Sequence, residues 1–256
     1  MPFTLAHPAA VLPLCRRPLV ASALVAGAVA PDLLYVGPIY RVATQINGNF
    51  TLTLTHRFTS ALWLDPLLAL VLLLVFSVVL KRPLVALAPT ALAARLPGAA
   101  RPHLVWMVVS AVLGALTHVL WDSFTHYDGY FVREFPGFFR AQLTGAWDVN
   151  RILQYVSTVG GCLVLAVWLY RWYRRTSPSA VEPGVPDWVR YLVLAALMVF
   201  GVTGAIVELG RADGEFAGET AVRLVLSGLV SGGLAALAWY VVLWHLGRLR
   251  RRTHVS

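Results

Sequence analysis

HLVWMVVSAVLGALTHVLWDSFTH, residues 103–126, decides how this chain is read. Its first part, His103–Trp121, is apolar over the roughly 20 helical residues that cross a bilayer. Its end carries His118, Asp122 and His126, spaced by four. On a helix each stands about 40° further round than the last, so the three rise along one stripe. Two imidazoles and a carboxylate are ligand types that a zinc-like metal takes. Ionisable groups at the end of a membrane span are expensive and point to function.

The rest of the chain agrees with a membrane setting. Its 256 residues are 58% hydrophobic and 13% charged, about half the charge of a typical soluble domain. The net charge of +9 does not point to nucleic acid, because the Lys and Arg residues gather in short loops beside apolar runs. No nucleic-acid-binding motif is present. Cys15 and Cys162 lie near or inside apolar segments, which fits packing and not a disulfide framework.

Five runs are long enough to span: Ala61–Leu80, His103–Trp121, Ile152–Tyr170, Trp188–Val207 and Ala221–Leu246. The fold expected is therefore all-α, a polytopic transmembrane helix bundle. Lys81, Arg82, Arg95 and Arg101 follow the first span. Arg171, Arg174 and Arg175 follow the third, and Arg248, Arg250, Arg251 and Arg252 end the chain. The positive-inside rule makes these regions cytoplasmic. Acids offset the arginines on the opposite side: Asp122, Asp128, Glu134 and Asp148, then Glu208, Asp213, Glu215 and Glu219. The expected location is a bacterial plasma membrane, with the C-terminus cytoplasmic and the His118–His126 stripe outside.

The N-terminal part reads in two ways. Leu19–Ala30 is either a short sixth span, or residues 8–30 form a re-entrant hairpin. Pro8, Pro13 and Pro18 favour short, bent pieces. Arg16-Arg17 and Ala28-Val29-Ala30 imitate a signal peptide, but Pro31 directly after the small residues opposes cleavage. Segment 81–102 has the composition of an interfacial helix. Segment 176–187 reads as a linker. The division expected is a motif-bearing part, 1–175, the linker, and a C-terminal part, 188–256. The aromatic loop 127–150 suits a lipid interface.

Under this topology Asp32, His56 and the His118/Asp122/His126 stripe all reach the outer side. Ligands converging from separate helix ends build a metal site. Taken singly, each residue also fits a helix cap or an interfacial water-binding group. Asp65, followed by Pro66, fits an N-cap or a ligand-supporting role.

Four motifs occur in order. They are Met1-Pro2-Phe3-Thr4-Leu5-Ala6-His7-Pro8-Ala9-Ala10, Ala30-Pro31-Asp32, Thr55-His56 with Leu64-Asp65-Pro66, and Gly114–His126. With Leu153-Gln154-Tyr155, they resemble an uncharacterised bacterial integral-membrane family, a domain of unknown function, over roughly residues 1–175. The spacing of His, Pro-Asp, His and Thr-His-x-x-x-Asp is similar, more distantly, to membrane-bound metal-dependent hydrolases and zinc-dependent phospholipase C. That likeness implies His7, Asp32, His56, His118 and Asp122 as metal ligands. The wider pattern often has an acid where Leu34 stands and a second His where Phe58, Thr59 and Ser60 stand. One divalent metal, zinc from its N/O ligand set, is the expectation, with Asp128 or His126 as base or supporting group.

The function expected is hydrolysis of a lipid or lipid-linked phosphoester at the extracytoplasmic surface, with membrane lipids and that substrate, and no nucleic acid, as the expected partners. The alternative is a non-enzymatic membrane protein whose polar cluster is structural or handles ions.

Overall fold

The computed structural model describes residues 4–96, 102–145, 147–181, 184–211 and 218–253. Arg101, Asp213, Glu215 and the first three residues of the opening motif lie outside the described residues. The expected all-α architecture is found, and five helical stretches are long and apolar enough to cross a membrane: Leu64–Leu87, Leu104–Glu134, Val149–Arg175, Asp187–Arg211 and Thr220–Arg250. Each contains most of one expected run. They extend further because Lys, Arg and Glu at their ends are good helix formers that hydropathy alone excludes.

The chain divides into two compact units: Met1–Tyr35, Val42–Val75 and Pro97–Ser177 form one; Val36–Arg41, Phe76–Leu96 and Pro178–Ser256 form the other. The first unit begins with short pieces, a 3-10 turn Thr4–Ala6, α1 (Pro8–Val11), a 3-10 turn Leu12–Leu14, α2 (Ala21–Val29) and a 3-10 stretch Ala30–Tyr35. None of these is long enough to span alone. Their two ends return to one place, because the Thr4 hydroxyl donates to Asp32 Oδ2 at 2.6 Å. A helix that the sequence did not announce, α3 (Gly37–Leu54), follows. Its interleaved Thr, Gln and Asn residues hide it from a search for apolar runs.

α4 (Leu64–Val75) continues through a π-helical turn, Phe76–Leu80, into α5 (Lys81–Leu87), followed by the short α6 (Thr90–Ala93). α7 (Leu104–Thr125) is the central element of the first unit and packs on α2 backbone to backbone. A Cβ on Gly114 would lie 2.2 Å from the Leu24 carbonyl oxygen, and one on Gly27 would lie 2.2 Å from that of Ala111. Small residues permit this approach, as membrane helix pairs require. Ser110 on α7 accepts a hydrogen bond from Val20 N–H, 2.9 Å, at the start of α2. A donor orphaned at that helix start is thereby satisfied from a neighbouring helix. Ala26, Ala30, Ala69 and Ala111 close the core between α2, α4 and α7.

Beyond α7 lie α8 (Tyr130–Glu134), α9 (Pro136–Phe139) and a small hairpin of β1 (Gln142–Thr144) and β2 (Trp147–Asp148). Gly145 turns the hairpin with φ +53°, a conformation that glycine adopts without a Cβ penalty. α10 (Val149–Arg175) completes this unit.

In the second unit α11 (Asp187–Arg211) and α12 (Glu219–Thr253) pair along a glycine seam. A Cβ on Gly232 would lie 1.9 Å from the Phe200 carbonyl oxygen, and one on Gly204 would lie 2.2 Å from that of Gly228. Tyr240 donates to the Pro83 carbonyl at 2.9 Å, and Arg190 Nε to that of Leu87 at 2.9 Å. Beyond residue 183, Val185 N–H donates to the Ala86 carbonyl at 2.9 Å.

Candidate metal centre

α7 carries His118 and Asp122 one turn apart, both buried, toward its C-terminal end. The 3-10 stretch after α2 brings Asp32 to them, and the turn after α3 brings His56. Each of these four residues offers one ligand atom, and all four atoms lie within 4.8 Å of one another. His56 Nε2 is 3.3 Å from Asp32 Oδ1 and 3.4 Å from Asp122 Oδ2. His118 Nε2 is 3.7 Å from Asp32 Oδ1 and 3.2 Å from Asp122 Oδ2. Ligand bonds of about 2.0–2.2 Å put the donor atoms of a tetrahedral site about 3.3–3.6 Å apart. The group therefore has the composition and spacing to hold a metal ion.

The outward halves of the same side chains are held. Asp32 Oδ2 accepts from Thr4, and His56 Nδ1 lies 3.1 Å from Thr55 Oγ1. His118 Nδ1 donates to the Ala28 carbonyl at 2.7 Å. A carbonyl only accepts, so Nδ1 carries the hydrogen and Nε2 of the neutral ring turns its lone pair inward. That lone pair faces a carboxylate oxygen. Two acceptors so close need a proton or a cation between them. Asp32 Oδ1, His56 Nε2, His118 Nε2 and Asp122 Oδ2 are all buried without a hydrogen-bond partner. Buried polar atoms are rarely left so, and four gathered together could hold a metal ion. Outer groups that fix tautomer and orientation are the usual support of such ligands.

His56 sits outside the spanning segments. Burial opposes its charge, but the Asp122 and Asp32 carboxylates outweigh burial and raise the imidazolium from 6.5 to about 9 in the metal-free protein.

The remaining sequence candidates lie around this group. His7 is 1% exposed and stacks on His118, ring centroids 3.9 Å apart. Its Nε2 is 3.1 Å from Asp122 Oδ1, the oxygen turned away from the four-atom group. His7 thus stands behind Asp122 and outside the quartet. His126 Nε2 lies 3.1 Å from Asp122 Oδ2, with its side chain 24% exposed, on the more open side. Asp128 is exposed in the turn beyond α7 and outside the quartet. Asp65 is fully buried, with neither carboxylate oxygen hydrogen-bonded, so it makes no capping bond. It lies within electrostatic reach of His56 and His118.

Sequence reading did not single out Thr4, Thr55 or the Ala28 carbonyl as supports. Nothing in their residue types distinguishes them from ordinary Thr and Ala; only the folded chain brings Thr4 to Asp32 and Ala28 to His118.

No curated protein and no solved structure matches the chain, so the likeness to hydrolases and to phospholipase C rests on the residue pattern alone. The family described as a domain of unknown function (DUF4184) matches residues 1–243, and the chain belongs to that family.

Proposed function

We propose that this protein is a membrane-bound, metal-dependent hydrolase acting on a lipid or lipid-linked phosphoester at the extracytoplasmic face of a bacterial plasma membrane. One observation carries the reading: four buried ligand atoms, unpartnered, aim at one point while the opposite atoms of the same residues are fastened. In a structural cluster the same His–carboxylate pairs, 3.2–3.7 Å apart, would share protons as ion pairs, and metal content separates the two readings. The outward placement rests on the distribution of Lys and Arg in the sequence.

Asp32, His56, His118 and Asp122 would hold the ion, zinc by their N/O character. A divalent cation there supplies Lewis acidity toward water and toward a phosphoryl oxygen. His7 holds Asp122 in place from behind. Hydrolysis adds water across a P–O bond, so one proton leaves the water and one reaches the departing alkoxide. His126 Nε2, buried 3.1 Å from Asp122 Oδ2, takes the first and returns the second. Asp128 is the competing acceptor of that proton, and comparing His126→Ala with Asp128→Ala separates the two.

The test is elemental mass spectrometry on detergent-purified protein, wild type beside His118→Ala and Asp122→Ala, followed by a phosphoester panel. The reading expects near-stoichiometric zinc in wild type, its loss in both variants, and turnover that falls with it. Protein that stays metal-free after reconstitution with zinc or manganese sinks the reading. Bound metal without turnover on any phosphoester assigns the site to metal handling.

A further inference from the structure

We propose that Arg140 is an anion-recognition residue at the mouth of this site and takes the phosphoryl group of the substrate, an inference that rests on the hydrolase reading above.

The argument begins at His126. Its N–H donates to the Asp122 carbonyl at 2.9 Å, and its own carbonyl accepts from Gly129 N–H at 2.9 Å. A Cβ on Gly129 would lie 2.6 Å from the Ser123 carbonyl oxygen and 2.7 Å from that of Asp122, so this turn is pressed against the end of α7. Tyr127 is the next residue, and Arg140 fastens it twice. Arg140 Nη2 donates to the Tyr127 carbonyl at 3.2 Å, and the guanidinium carbon stands 4.0 Å above the Tyr127 ring. The guanidinium is therefore fixed on the residue that follows His126 in the chain.

Its charge and one donor remain unused. Arg140 Nε is buried with no hydrogen-bond partner. Among the described residues no carboxylate forms an ion pair with it. An arginine fork matches phosphate oxygens in shape and charge, and a ring-stacked guanidinium is already oriented to bind. A second leftover atom stands at the start of α10. Gln142 pairs with Asp148, and Val149 N–H, at the first residue of α10, donates to the Ala141 carbonyl at 3.1 Å, so the start of α10 is tied to the residue that follows Arg140. Asn150 is 5% exposed, and its Oδ1 also lacks a partner. A charged donor and a neutral acceptor, each left without a partner at this junction, match an anion that also carries a hydroxyl. Hydrogen phosphate and phosphoglycerol headgroups have that chemistry.

Phenylglyoxal labelling of Arg140 tests this in the full-length, zinc-reconstituted protein, mapped by mass spectrometry in phosphatidylcholine nanodiscs. One arm adds inorganic phosphate; the other replaces part of the lipid with phosphatidylglycerol. Labelling of Arg140 should slow about tenfold in at least one arm, while exposed Arg133 labels unchanged. Protection by lipid alone identifies a headgroup, and protection by phosphate alone identifies a soluble anion; both support the subsite. Labelling in both arms as fast as in phosphatidylcholine without phosphate overturns it. Arg140→Gln and Arg140→Lys should also weaken inorganic phosphate binding, measured by calorimetry, about tenfold at unchanged zinc content. Wild-type affinity in folded variants overturns the proposal. If either variant fails to fold, the wild-type labelling decides. If the wild type binds no metal, the hydrolase reading falls, while protection of Arg140 by phosphate still supports an anion subsite.

Discussion

The α2–α7 contact and the α11–α12 seam are built by the same device and lead to different ends. Both bring helix backbones together at glycines, with space for no Cβ at Gly27 and Gly114 in one, or at Gly204, Gly228 and Gly232 in the other. At the seam, close packing of backbone and apolar side chains is the outcome, as in membrane helix pairs generally. At the α2–α7 contact the same approach also delivers a carbonyl. Ala28 comes near enough to α7 to fix the His118 ring through Nδ1. Small-residue packing there sets the tautomer of a candidate ligand. Close packing alone does not reveal a site; unpartnered atoms sharing one focus do.

Adding one methyl to each contact breaks the comparison most sharply. Gly114→Ala pushes α2 off α7, moves the Ala28 carbonyl and frees the His118 ring. Zinc affinity should fall by about 100-fold, the upper range for losing outer support of a metal ligand, as read by competition with a chromophoric chelator. Gly232→Ala meets the Phe200 carbonyl and should cost about 1–3 kcal/mol as overpacking, offset in part by the better helix propensity of Ala, about 1 kcal/mol. Thermal unfolding in detergent reads that cost, and zinc content should stay at the wild-type level. Equal loss of zinc in both variants would abolish the distinction.

The acidity of the site sharpens it further. In metal-free protein the His56 imidazolium is held between two carboxylates and titrates near 9, against 6.5 when unfolded. A raised folded pKa means that this contribution to stability is complete below 6.5 and is lost as pH rises through 9. A cation must displace the His56 proton to bind. Apparent zinc affinity should therefore climb with pH toward 9, by up to about tenfold per unit for each proton released. Unfolding midpoints of metal-free protein should fall over that window, while those of zinc-loaded protein stay level. The α11–α12 seam offers no such response. A flat affinity profile from pH 6.5 to 9 would mean that His56 is not a ligand.

These contrasts also mark where sequence reading reached and stopped. Spans were legible because hydropathy is a local property, and α7 was legible because His118, Asp122 and His126 repeat at helical spacing. α3 was missed because its interleaved polar residues break the apolar signal. The β1–β2 hairpin was missed because three- and two-residue strands carry too little alternation to see. At the site, Asp32, His56, His118 and Asp122 could be named from the residue pattern. The place of His7 could not. Whether it meets the cation or the far oxygen of Asp122 depends on how α1 lies against α7, which local sequence does not encode.

Thr4 gives the smallest expected effect and the narrowest test. Its hydroxyl is 2.6 Å from Asp32 Oδ2 and leaves Oδ1 turned toward the cluster. Thr4→Ala removes that hold without adding volume or charge. The carboxylate can then rotate, or face the ion with both oxygens, so zinc should still bind about tenfold more weakly, the lower range for such supports. Thr4→Ser keeps the hydroxyl and should restore the affinity. Rescue separates orientation from packing, since Ser fills less space than Thr yet still donates. A Thr4→Ala protein that binds zinc as tightly as wild type would show that Asp32 is held by its backbone alone. The first turn of the chain would then belong with the glycine seam, as packing, and not with the metal centre.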